Sequence, residues 1–259
     1  MNHDGRTAIA IPADYEPAPD CLRDRIILVT GASAGIGAAA ARAYAAHGAT
    51  VILLGRDVGR LEAVYDAIED AGGPQPAAVP FDLAQEGEEP FIELANTIGT
   101  QFPRLDGVLL NAGVLGERKP LEQTTWRAWR EVIDINVHSQ FLTTRALMPL
   151  LHEAERPSLV FTTSGVGRVG RAFWGAYSVS KFATEAMMQI LADETENTTD
   201  LRVNCINPGA TNTAMRRAAY PAEQPDTNPA PEALMRSYLY LMDPAGVAVT
   251  GYSFDAQPR

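Results

Sequence analysis

Short β-branched apolar runs alternate with longer Ala- and Leu-rich amphipathic segments along almost the whole chain, and this alternation restricts it to few architectures. Runs apolar at nearly every position are strands covered on both faces, and amphipathic segments between them are the crossover helices that parallel strands require. Strands are predicted at Arg25–Thr30, Thr50–Gly55, Ala77–Phe81, Gly107–Asn111, Ser158–Ser164, Leu201–Ile206 and Tyr252–Asp255. Helices are predicted at Ile36–His47, Val58–Ala71, Glu88–Phe102, Thr125–Leu151, Ala176–Thr195 and Pro231–Leu241. The fold class is therefore α/β: a seven-stranded parallel sheet with helices on both faces. A chain of 259 residues can bury that sheet as a single domain, residues 21–259.

Two segments fall outside the alternation. Residues 1–20 carry prolines and acidic residues without a basic start and an apolar block, so they read as a partly mobile N-terminal arm and not a signal peptide. Between Asn207 and Pro231 lie five prolines and no helical period, apart from a short helix expected at Ala214–Tyr220. Loops of this length in compact domains are commonly lids, and residues 210–231 are the expected substrate loop.

Composition removes several function classes. The net charge is −11, and the arginines are scattered, which argues against nucleic acid and anionic membranes as partners. No segment offers about 20 uninterrupted apolar residues. Cys21 and Cys205 stand far apart, which fits a reducing cytoplasm better than a disulfide framework. His3, His47, His138 and His152 lack metal-ligand spacing, so no metal site is expected. Gly-x-Ser-x-Gly is absent, which leaves hydrolase chemistry unsupported.

The first strand runs into Gly31-Ala-Ser33-Ala-Gly35-Ile36-Gly37 and then an Ala-rich helix. Glycines at such a turn let backbone approach a pyrophosphate, and the helix N-terminus offers free N–H groups and a positive dipole end. A tight turn that merely seats a helix on a sheet reads the same way. At the end of the second strand, where a carboxylate would hold an NAD ribose, stands Gly55 followed by Arg56. Missing an acid and carrying a guanidinium suits a 2′-phosphate, so NADP(H) is favoured over NAD(H). If Arg56 only faces solvent and Asp57 caps the next helix, that preference is slight.

Tyr177 and Lys181 lie one helical turn apart, in a chain with two lysines. Side chains at i and i+4 share a helix face, and an ammonium beside a phenol would pull its pKa down from about 10, giving an acid/base for neutral pH. An exposed Tyr with a solvated Lys is the plain alternative.

Thr30–Gly37, Asn111-Ala112-Gly113, Asn136, Ser164, Tyr177-x-x-x-Lys181 and Pro208-Gly209, in that order and spacing, resemble the short-chain dehydrogenase/reductase family over Leu22 to about Asp255. A bacterial group within it is matched through Val51-Ile-Leu-Leu-Gly-Arg56, Trp174-Gly-Ala-Tyr177, Arg202-Val-Asn-Cys-Ile-Asn-Pro-Gly209 and Phe254-Asp-Ala-Gln257. The resemblance implies a single-domain Rossmann fold and an oxidoreductase that interconverts a carbonyl compound and an alcohol. It implies Tyr177 as acid/base, Ser164 holding the reacting oxygen, Lys181 binding the nicotinamide ribose and stabilising phenolate, and Asn136 supporting a water that relays protons.

For the cofactor it implies contacts from Gly31, Ser33, Gly35, Ile36, Gly37 and Arg56. Asp82 and Leu83 would lie at the adenine and Asn111, Ala112 and Gly113 at its ribose, with Pro208, Gly209, Thr211 and Thr213 orienting the nicotinamide. Val166–Trp174 and Leu115–Glu117 would wall the substrate pocket, where Arg168 or Arg171 could meet an anion or else pair with acids. The resemblance also implies a homodimer or homotetramer through the fifth and sixth helices. A 3-oxoacyl-thioester reductase and a non-catalytic NADP-binding sensor or scaffold are the alternative functions.

Overall fold

The computed structural model describes residues 9–257; His3 and the rest of residues 1–8 lie outside them, as do residues 258–259. Its strands are β1 (Ile9–Ala10), β2 (Ile26–Thr30), β3 (Thr50–Gly55), β4 (Ala77–Pro80), β5 (Gly107–Leu110), β6 (Ser158–Thr162), β7 (Arg202–Asn207) and β8 (Ser253–Asp255). All pair in parallel, in the order β1-β8-β7-β6-β5-β2-β3-β4. The sheet thus has eight strands where the sequence predicts seven. The extra one comes from the expected arm, where Ile9 and Ala10 are in register with Phe254 and Asp255. Two residues are too few for an apolar alternation to register. Behind β1, Arg236 donates to the carbonyls of Ala13 and Tyr15, and the Tyr15 hydroxyl donates to Asp243 Oδ2 at 3.1 Å.

The helices are α1 (Gly35–Ala46), α2 (Val58–Asp70), α3 (Glu89–Gln101), α4 (Trp126–Ile133), α5 (Ser139–His152), α6 (Gly175–Thr195), α7 (Ala214–Ala219) and α8 (Met235–Met242). Successive strand residues feed opposite faces, which is why the runs are apolar throughout. Ile27, Val29, Val51 and Leu53 join Leu61 and Val64 of α2, Tyr238 of α8 and the small face Ala38–Ala41 of α1 on one side. Leu28, Ile52, Leu54, Leu159 and Phe161 join Phe91 of α3, Leu147 of α5 and Met188 of α6 on the other. Alanines on α1 let that helix lie close to β2, and a larger side chain there would have to displace the sheet.

The single helix predicted at Thr125–Leu151 is interrupted. A π turn at Asp134–His138 separates α4 from α5 and contains Asn136. Inserting one residue into a helix changes which side chains face its neighbour, and such bulges are commonly found at functional sites. No helix among the described residues is long and apolar enough to cross a membrane.

Candidate active site

The glycine turn between β2 and α1 floors a cleft of about 740 Å³ at the C-terminal edge of the sheet. Gly31 and Gly35 take φ of 68° and 55°, a region that costs side-chain-bearing residues energy. Gly37 answers to packing. A Cβ there would overlap the carbonyl oxygen of Gly31 and lie 2.8 Å from Asn111 Nδ2, so its absence seats α1 against the β5 end. Gly35 meets only the Thr213 side chain, at 3.5 Å, leaving space above it. Ala34 caps α1 without a side-chain bond, so the first N–H groups of the helix are free for an anion.

Of the residues singled out by sequence, Gly31, Ser33, Gly35, Ile36, Arg56, Asp82, Leu83, Asn111, Ala112, Gly113, Tyr177, Lys181, Pro208 and Thr213 line this one cleft. Gly37, Asn136, Ser164, Gly209 and Thr211 are not among the lining residues. Sequence reading missed Arg60, Thr162 and Met215, which also line it. Arg60 stands in the first turn of α2 just past Arg56, and that proximity was the available signal. Asp57 does cap α2, accepting from the Arg60 N–H at 3.1 Å, and it pairs with Arg60 Nε at 3.2 Å. Arg56 stays largely in solvent, 4.0 Å from Asp82. Exposed pairs at that distance contribute little, so Arg56 can turn to another anion.

At the other end, Asn136 is wholly buried and fully engaged. Its Oδ1 accepts from the Val114 N–H at 2.8 Å, while Nδ2 donates to the Val114 carbonyl at 2.9 Å and to Ser180 Oγ at 3.0 Å. The π turn thereby ties the segment after β5 to α6. A Cβ at Gly113 would stand 3.1 Å from Asn136 Oδ1 and 3.9 Å from Lys181 Nζ. Gly167 packs directly on the Lys181 backbone, where a Cβ would come within 2.8 Å.

Lys181 is buried and donates to the Thr162 carbonyl at 2.7 Å. Burial lowers its pKa from 10.5 to about 8, against which Cys205 and Glu185 pull upward. Its Nζ lies 5.7 Å from the Tyr177 ring centre. Tyr177 departs from expectation: burial pushes its pKa up to about 12, only partly opposed by a hydrogen bond from Ser164. No pull from the lysine offsets this, because an amine with a pKa of about 8 has lost its charge before such a phenol ionises. Desolvation of the phenol therefore decides the direction.

Trp174 lies 5.7 Å from the Tyr177 ring and 6.1 Å from Tyr220, which follows α7 in the predicted loop. The Arg118 guanidinium packs on both Trp174 and Tyr220, at 4.6 and 4.8 Å, and donates to the Ala219 carbonyl. Arg118, one position past Leu115–Glu117, thus meets Trp174 and Tyr220 beside Tyr177. Arg168 takes the structural option. It donates to Glu185 Oε1 at 3.2 Å, Asp255 Oδ1 at 2.8 Å and Ser253 Oγ at 2.6 Å. Arg171 is exposed. Among the described residues, no group of three or more His, Cys, Asp or Glu could hold a metal ion.

A parallel sheet with an anion-ready turn at one end of its cleft and a buried Tyr–Lys pair at the other has known counterparts. The family model for short chain dehydrogenases matches residues 25–224, and the chain belongs to that family of nicotinamide-dependent oxidoreductases. It is 52% identical over 94% of its length to the uncharacterized oxidoreductase YciK of Escherichia coli K12, covering 96% of that protein. The crystal structure of a putative short chain dehydrogenase from Escherichia coli CFT073 complexed with NADPH is 52% identical, with a TM-score of 0.91 over 93% of this chain and 100% of that one. One from Shigella flexneri 2a strain 301 complexed with NADP is also 52% identical, with a TM-score of 0.90 over the same shares. The bacterial group matched by motif is thus the YciK type.

Proposed function

We propose that this protein interconverts a small carbonyl compound and an alcohol with NADP(H), using Tyr177 as acid and base. The observation that carries the reading is the joining, in one cleft, of an uncapped helix N-terminus beside Arg56 with Tyr177 beside Lys181. The glycine turn would hold the pyrophosphate and Arg56, with Arg60 near it, the 2′-phosphate. Asp82, Leu83 and Asn111–Gly113 would hold the adenosine, and Lys181, Pro208, Gly209, Thr211 and Thr213 the nicotinamide end. The cofactor supplies or accepts the hydride. Binding of NADP and NADPH by proteins 52% identical supports the choice of phosphate.

The remaining work falls to side chains. With its pKa near 12, Tyr177 is a neutral phenol at neutral pH, which is the form that donates a proton to a carbonyl oxygen. Ser164, already bonded to the phenol, would hold that same oxygen. Lys181, with a pKa of about 8, keeps its proton at neutral pH and favours the phenolate left behind. Both hydrogens of the Asn136 amide are committed, so a relay water would meet this side chain only at Oδ1.

A sensor that binds without turnover gains nothing from burying a lysine at the expense of its charged form. A 3-oxoacyl thioester on an acidic carrier would be repelled by a chain of net charge −11. We place the protein in the cytoplasm, where the free thiols of Cys21 and Cys205 persist, as a homodimer or homotetramer. The test is a carbonyl and alcohol library followed through nicotinamide absorbance. Turnover with NADPH that disappears in Tyr177→Phe is expected, and full activity of that variant would overturn the assignment.

A further inference from the structure

We infer that Gln257 is a positioning residue for the nicotinamide end of the cleft, acting through the turn Asn207–Ala210; this rests on the dinucleotide reading above. Its Nε2 donates to the Pro208 carbonyl at 2.7 Å and to the Ala210 carbonyl at 2.8 Å. Both partners are carbonyl oxygens, so the amide nitrogen must face them. Between them sits Gly209 at φ 71°, where a Cβ would stand 2.9 Å from Gln257 Nε2. One side chain thus fills the space that the glycine leaves and ties both flanking peptides.

The same turn is held from below. Asn207 pairs in register with Asp255, accepts the Ala256 N–H at 2.9 Å, and donates through Nδ2 to Asp255 Oδ1 at 2.8 Å. Its Oδ1 accepts from the Gly209 N–H at 3.1 Å. Asp255 Oδ1 also receives Arg168, which comes from the segment between Ser164 and Tyr177. The end of β8 and the residues after it therefore form a splint joining the turn that carries Pro208 to the segment that leads into Tyr177. Pro208 lines the cleft and Gln257 does not, so Gln257 acts through the turn.

Calorimetric titration of the full chain with NADP+ and with adenosine 2′,5′-bisphosphate, which lacks the nicotinamide half, separates this role from a general one. Gln257→Met removes both donors and should weaken NADP+ binding about fivefold or more while leaving the bisphosphate unchanged. Gln257→Glu places a carboxylate against two carbonyl oxygens and should lose more. Equal losses for both ligands, or no loss for either variant, overturn the inference alone. Wild-type protein that binds neither ligand sinks the dinucleotide reading and this inference with it.

Discussion

Lys181 donates to the Thr162 carbonyl across 2.7 Å, and its ammonium stays 5.7 Å from the centre of the Tyr177 ring. One helical turn puts the two residues on the same face of α6, yet the ammonium is hydrogen-bonded to β6 and the phenol is governed by burial. In protein without cofactor, near-ultraviolet tyrosinate absorbance should therefore show no contribution from Tyr177 below about pH 10. The difference between wild type and Tyr177→Phe isolates it, and a step near neutral pH would refute the burial argument.

Lys181 also leaves a mark on stability. Its folded pKa of about 8 lies below the unfolded 10.5, so between these values the unfolded chain binds more protons and stability rises with pH. The contribution is complete above 10.5 and is lost as pH falls through about 8. Urea denaturation of wild type and Lys181→Met should give a stability difference that moves in favour of wild type across that window and is flat below it.

Loss of the proton donor should act on rate and spare binding. Tyr177→Phe is expected to lower kcat by roughly 10²–10⁴ with NADPH affinity kept. Ser164→Ala should cost about 10²–10³, because it removes a donor to the developing oxyanion. Single-turnover rates beside NADPH titrations check both, and a loss confined to binding would contradict the assigned roles.

Arg56→Ala should weaken NADPH by more than about tenfold and barely affect NADH, as expected for loss of a charge-assisted phosphate contact. Its partner Asp82 is 4.0 Å away and both side chains are well exposed, so little else in the fold depends on it. Equal losses for the two cofactors would remove the 2′-phosphate argument. Arg56→Ala with Arg60→Ala should lose more than either alone.

Asn136→Leu strands the Val114 N–H and carbonyl and loses the bond to Ser180 Oγ. Val114 is half-buried at the cleft, where water can replace one partner, so the variant should fall by about 1–3 kcal/mol in chemical denaturation. Little change would mean that the π turn stands without this side chain.

The sheet core and the glycine turn were legible because continuous apolar runs, Ala-rich helices and glycines each leave a local signal, as at Ile26–Thr30 and Gly31–Gly37. Three other features had none. β1 is two residues held by a register with β8, a partner more than 240 positions away. The π turn at Asn136 adds one residue to a helix whose apolar period continues on both sides. Arg168 was ambiguous because its acids, Glu185 and Asp255, converge only in the folded chain. The direction of the Tyr177 shift likewise depends on how deeply phenol and amine are buried, and spacing does not encode that.

Pro80 closes β4 at one rim of the sheet, and β1 spans only two residues at the other. Among the described residues, neither rim offers a long ladder of unpaired amides to a neighbouring molecule. The described backbone leaves little for copies of this chain to zip together, and any contact between copies would fall to side chains displayed on its helical flanks.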